Sequence, residues 1–341
     1  MRLARAWLNP ASLALGILSV GLLSVGLLAG CGPTGGSGGD ARTETDPGRG
    51  PRPGSTVTDL RFIQAWENEP DKFYFPLTGV AGCGFSPEGT LIVCDEQRGR
   101  VFGLEYDTQR WYEFDRSPSR PYRPLDVLVD GFKVLVLDGG GGTVQRFDLN
   151  GAWLDQLFDI KRVDPVDRAQ MTAFAMDRDG RMVVTDIAQQ QVLLLDTFMN
   201  LIQRVGDPGS LDDQFNEPSG LAFLNDGGFV VSDLGNRRLS LYGRLGFYEG
   251  SVGGDFDPHN YLAAPAGLAT DRYGNLFVAD TGSGQVHVLD QRQRHLLSLG
   301  NDLAPGAAPV GPVDVAVGPG EILAVTDRAR SAILLYKIIY E

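Results

Sequence analysis

A chain of 341 residues with 43% hydrophobic side chains can bury a sizeable core, as one large domain or two ordinary ones. Its 45 glycines and 20 prolines demand many turns, so disorder throughout and long uninterrupted helices are both excluded as general descriptions. A net charge of -13 sets the surface against nucleic-acid backbones and anionic lipid faces, and no basic patch overrides it.

Residues 1–30 open with Arg2 and Arg5 and continue through the apolar run ASLALGILSVGLLSVGLLA, the pattern of a bacterial export signal rather than of folded structure. Leu28-Ala29-Gly30-Cys31 resembles a lipobox, and that resemblance implies a lipoprotein whose Cys31 carries diacylglycerol on its thiol and an acyl chain such as palmitate on its amine. The competing reading is a single retained membrane span, since the apolar run nearly reaches across a bilayer. Both readings put the domain outside the cytoplasm, in the cell envelope, as a periplasmic or cell-surface protein. Gly32 replaces the aspartate that resembles an inner-membrane retention signal, which favours an outer membrane where the organism has one. Residues 31–57 have almost nothing to bury and are expected to be a flexible lipidated tether.

From residue 58 to 341 one phrase recurs. Aligned on the aspartate that ends each apolar run, the copies sit at Asp95, Asp138, Asp186, Asp233, Asp280 and Asp327, with spacings of 43, 48, 47, 47 and 47. Six residues after each stands an apolar residue opening an alternating run: Val101, Val144, Val192, Leu239, Val286 and Ile333. Each unit reads as four short strands. They are a small apolar run, a turn such as SPEG at Ser86 or DRYG at Asp271, the run ending in the aspartate, the alternating run, and a weaker fourth strand. Four-stranded units at this period predict an all-β fold, a six-bladed β-propeller of antiparallel blades. The sixth unit lacks its fourth strand, while LRFIQAW from Leu60 has no unit of its own; the N-terminal strand is therefore predicted to close the last blade.

The units resemble NHL repeats. The pattern is carried best by EPSGLAF from Glu217 with DLGNRRLSLY from Asp233, and by APAGLATDRYGNLFVADTGSGQVHVLD from Ala264; units one, two and six depart from it. The resemblance implies a propeller that presents binding surfaces.

Six equivalent aspartates cannot all be one catalytic group, so they are expected to organise turns through backbone N–H groups. The exceptions to the repeat are more informative. The position opening the innermost strand is small in four units, at Gly82, Ala173, Gly220 and Gly267, and is Asp126 and Asp314 in the second and sixth. Two carboxylates at the channel suit a hard cation such as calcium, with Asn216, Glu217 or Asn260 as further oxygen donors; the alternative is a solvated rim. Of the three histidines, His287 and His295 belong to outer strands, and His259 alone lies in a connector near the ligand-bearing face. One histidine cannot supply the zinc ligands of an amidating-lyase-like propeller. Cys83 and Cys94 lie on paired strands and read either as a disulfide or as two buried thiols.

No nucleophile elbow, paired HxxxH, haem motif, P-loop or dinucleotide fingerprint appears in the mature chain. The reading that follows is a lipid-anchored protein-binding or scaffold module rather than an enzyme. Tyr122, Arg123, Phe256, His259 and Tyr261 in irregular connectors are its contact residues, and a basic patch on a membrane or envelope protein is its partner. The alternatives are a calcium-dependent hydrolase resembling lactonase and esterase propellers, built on Asp126, Asp314 and His259, and a carbohydrate-binding propeller. Nucleic acid is not an expected partner.

Overall fold

Short apolar runs bounded by turns cannot satisfy their backbone groups alone, so they must pair. In the computed structural model, which describes residues 54–67, 77–116, 122–163, 169–255, 257–300, 303–304 and 306–341, they form six four-stranded antiparallel sheets. The innermost strands, in blade order, are Val80–Phe85, Pro124–Asp130, Met171–Met176, Pro218–Phe223, Pro265–Thr270 and Pro312–Gly318. Each contacts the next, and the sixth contacts the first, so the sheets close into a ring. Blade 6 is completed by Val57–Trp66, antiparallel to Ala332–Tyr340 with Trp66 opposite Ile333 and Val57 opposite Tyr340. The predicted six-bladed architecture and its N-terminal closure are both present.

The core lies between blades rather than inside them. Because successive strand residues point to opposite faces, Ile92 packs with Val134 and Val136 toward blade 2, while its neighbour Val93 packs with Ala324 and Leu335 toward blade 6. Six apolar clusters fill the six gaps in this way. Each fully buried Val, Leu, Ile or Phe contributes about 1.5–3 kcal/mol. Hydroxyls staple blades 4, 5 and 6 each to the inner strand of the next blade: Ser219 Oγ donates to the Pro265 carbonyl at 3.1 Å, Thr281 Oγ1 to Pro312 at 2.6 Å and Thr326 Oγ1 to Ala81 at 2.7 Å.

The anchor aspartates are buried, and they do more than cap the turn that follows. Asp95 accepts from the backbone N–H groups of Thr78 and Gly79 as well as Arg98, and Asp280 from Ala263 and Ala264 as well as Gly282 and Ser283. Each thereby clamps the connector entering its own blade.

Of the two readings of Cys83 and Cys94, strand register supports the buried thiols. Cys83 stands opposite Val93, not Cys94, so the two side chains leave opposite faces of blade 1; both thiols are buried and free. Burial pushes both thiols well above the usual cysteine range. The signal, Cys31 and the tether up to residue 53 lie outside the described residues, as does Phe256.

Candidate functional site

The inner strands surround a central cavity of about 930 Å³. Second strands end at the upper face, just after the anchors, and the hairpins joining first to second strands form the lower face. At the lower end the wall is mostly apolar, with Phe85, Val129, Met176, Phe223, Thr270 and Val317 lining it in blade order.

The small residues predicted at the channel are there because the inner strands approach closely. A Cβ on Gly267 would lie 2.1 Å from Asp314 Oδ1, and one on Gly82 would lie 2.5 Å from the Asp126 Cα. Asp126 and Asp314 line the channel and remain partly exposed to it. Both are held by backbone donors: Asp126 Oδ1 by Val127 N at 2.8 Å and Oδ2 by Phe174 N of blade 3 at 3.1 Å, and Asp314 Oδ2 by Cys83 N of blade 1 at 2.8 Å. They flank the same inner strand at Gly82 and Cys83, from blades 2 and 6. Burial raises Asp126 to about 6, against the lowering effect of the Phe174 and Val127 N–H groups. Burial also pushes Asp314 well above the usual carboxylate range, reinforced by the negative charge of Asp126. The charge of one therefore disfavours ionisation of the other.

Above them, the mouth carries three charged residues from three blades. Glu96 Oε1 accepts from Arg123 Nε at 3.1 Å and Nη2 at 2.7 Å, while Oε2 accepts from Arg328 Nη2 at 3.2 Å. Half of each arginine side chain is exposed, 53% for Arg123 and 50% for Arg328, leaving donors free to meet a ligand. A second depression of about 490 Å³ adjoins the mouth, lined by these three residues with Arg98 and Tyr122 among others. Two arginines against one glutamate make this mouth locally positive on an acidic protein.

Of the other expected site residues that are described, Arg123 and Tyr122 reach the mouth and the rest lie away from it. His259 is exposed on a connector turn, where its backbone N–H donates to Asp257 Oδ1, and it is absent from the channel lining. The set of Asp126, Asp314 and His259 is therefore corrected: ring closure joins the carboxylates and leaves the histidine outside. Tyr261 packs its ring on His287 and His295, and Tyr122 buries its hydroxyl beside the mouth. Arg123 is at the mouth itself. Asn216, Glu217 and Asn260 are likewise absent from the channel lining. Calcium takes six to eight oxygens. The channel level offers two carboxylates, with glycine and alanine at the equivalent positions, and no group of three or more His, Cys, Asp or Glu side chains placed to hold a metal occurs among the described residues. Glu96 and Arg328 escaped sequence reasoning. Their signal is positional: each directly follows an anchor aspartate, at a place occupied by Gly139, Ile187, Leu234 and Thr281 in the other units.

No protein-family model and no curated protein matches the chain in sequence. Solved structures match it in fold. A streptogramin B lyase aligns with a TM-score of 0.60 at 12% identity, over 82% of this chain and 98% of its own. Virginiamycin B lyase from Staphylococcus aureus aligns at 0.58 and 11%, over 82% and 100%. A gluconolactonase from Xanthomonas campestris aligns at 0.61 and 18%, over 85% and 98%. At these identities the likeness establishes a six-bladed propeller fold of the kind that lyases and gluconolactonases use. It also corrects the expectation of a non-enzymatic protein-binding scaffold, because the activities named for these propellers are catalytic. That expectation leaned on missing short motifs, which carry no weight where a site is assembled from loops of separate blades.

Proposed function

We propose that the protein is an enzyme that opens an ester or lactone bond at the upper mouth of the propeller channel. The observation carrying this reading is the pair of channel carboxylates lying beneath the Arg123–Glu96–Arg328 mouth. The cavity volume suits a small organic substrate, with apolar walls for its body and a few polar groups to orient it.

In this reading Asp126, raised to about 6, is ionised above that value and takes a proton from an attacking water. The water oxygen bonds to the carbonyl carbon, and the resulting oxyanion is met by arginine N–H groups and by Asp314, the acid of the pair, whose pKa burial pushes well above the usual carboxylate range. Collapse breaks the C–O bond, and the proton held on Asp126 passes to the leaving alkoxide. The carboxylate product faces the mouth arginines. Two carboxylates with environments that separate their roles, one base and one acid, are what this chemistry requires.

The finer readings, NHL-type blades, export through residues 1–30 and lipidation at Cys31, rest on the sequence alone and are independent of the reaction. Intact mass of the envelope-purified protein, cleaved at Cys31 and carrying acyl chains, tests the last of them.

The reading is tested by pH-stat assay of the purified domain against a panel of lactones and carboxylate esters, with and without added calcium. Turnover of at least one class is expected. In Arg123→Ala with Arg328→Ala, KM should rise at least tenfold for substrates bearing an anionic group. Absence of turnover across the panel, in both conditions, counts against it.

A further inference from the structure

Away from the channel, the outer half of blade 5 holds a chain of polar groups that the proposed reaction does not use. Ser298 stands opposite His287 in the ladder between Gln285–Leu289 and His295–Leu299, so both side chains leave the same face. A bulge between Val288 and Leu289 turns His295 onto that face as well, opposite Leu289. The result is a serine hydroxyl between two imidazoles: Ser298 Oγ lies 2.7 Å from His287 Nδ1 and 2.8 Å from His295 Nε2. His287 Nε2 in turn lies 3.4 Å from Asp280 Oδ2 and 3.4 Å from Ser283 Oγ.

Hydrogen-bond bookkeeping fixes the direction of this chain. Asp280 is buried and already accepts four backbone N–H groups. Burial alone would raise its pKa, but the bonds from His287, Ala263, Ala264 and Ser283 outweigh it and hold the carboxylate below its usual range. An ionised carboxylate only accepts, so His287 Nε2 carries the hydrogen and its Nδ1 presents a lone pair. The Ser298 hydroxyl therefore donates to His287, and its oxygen accepts from His295 Nε2–H. Tyr261 roofs both imidazoles, with ring centroids 5.0 Å and 4.4 Å away, and fixes their planes. His287 is 1% exposed, whereas Ser298 is open to solvent on the outermost strand of its blade.

We propose that Ser298, His287 and Asp280 form a second site, a serine nucleophile with its base and the group that orients that base, which accepts an acyl group from an activated ester. Ser298 Oγ bonds to the acyl carbon as its proton moves to His287 Nδ1, and the imidazolium is stabilised by Asp280. The ester C–O bond breaks and that proton leaves on the alcohol. Water then attacks the acyl-serine, its proton passing to His287 and on to the serine oxygen, releasing a carboxylic acid. The roles are those of a serine triad, with the two ring nitrogens exchanged relative to the usual order. Every second backbone N–H of an outermost strand points away from its sheet, which supplies donors for the oxyanion.

The test is a fluorophosphonate probe applied to the folded full-length protein, with the adduct located by tandem mass spectrometry. A single adduct at Ser298 is expected, lost in Ser298→Ala and formed at least 100-fold more slowly in His287→Gln. Because His287 is buried, His295→Gln serves as a second variant, expected to slow labelling at least threefold while circular dichroism stays unchanged. Asp126→Asn should label like the wild type, which separates this site from the channel. An unlabelled wild type, or a Ser298 adduct forming equally fast in His287→Gln, would overturn the proposal.

Discussion

Asp126 and Asp314 were legible because a repeat announces its own exceptions: four small residues at one position make two aspartates conspicuous. Glu96 and Arg328 were not, since a single residue after a strand end has no pattern until ring closure brings blades 1, 2 and 6 together. His259 illustrates the reverse error, a residue near the site in the repeat but outside it in space. A consequence of the raised Asp126 pKa is a pH-dependent stability. Its folded value of about 6 exceeds the ordinary aspartate value of 3.8, so the protonated form favours folding. That stabilisation is complete below about 3.8 and is lost as pH rises through about 6. It amounts to roughly 1–3 kcal/mol. Denaturant unfolding at pH 4.5 and 7.5 should show a smaller difference between the two pH values in Asp126→Asn than in the wild type. The close approach at Gly267 gives a second expectation. Gly267→Ala places a methyl 2.1 Å from Asp314 Oδ1, and overpacking of this kind costs about 1–3 kcal/mol, readable as a lower urea midpoint.

At the level of strands and turns, the fold is legible in the sequence. Period-two alternation, turn residues and a fixed spacing of aspartates determine strand order and blade number, because a register slip would carry each apolar face into solvent. The clamp between each anchor and its incoming connector was hidden, since it joins residues that no local pattern links, such as Asp138 to Arg123 N at 2.8 Å. Asp138→Ala removes an acceptor for the backbone N–H groups of Arg123 and Gly140. Lost charge-assisted bonds with buried donors left behind cost about 2–3 kcal/mol. The same connector carries Arg123, so the variant should also weaken substrate binding at the mouth, seen as a higher KM. The choice between a disulfide and two buried thiols is also made at this scale: adjacency of strands is readable from sequence, but which face each cysteine takes depends on a bulge between Val80 and Cys83.

For the ring as a whole, closure is the condition for any site at all. Val57–Trp66 covers the edge of Ala332–Tyr340 and buries Val57, Leu60 and Trp66. Removing residues 57–66 opens that edge, and the shortened chain is expected to lose cooperative unfolding and to aggregate, as followed by light scattering during a thermal ramp. The fold, shared with propellers of catalytic description, leaves the chemistry to residues this chain places for itself. The central claim is that Asp126 acts as base in the channel, and it is tested most directly by comparing kcat/KM of wild type and Asp126→Asn from pH 5 to 8 on the best lactone or ester. The account predicts a wild-type profile rising through about 6, the value set by burial of Asp126. It also predicts a loss of at least 100-fold in the variant with its circular dichroism unchanged. Equal kcat/KM in the two proteins across that range would contradict it.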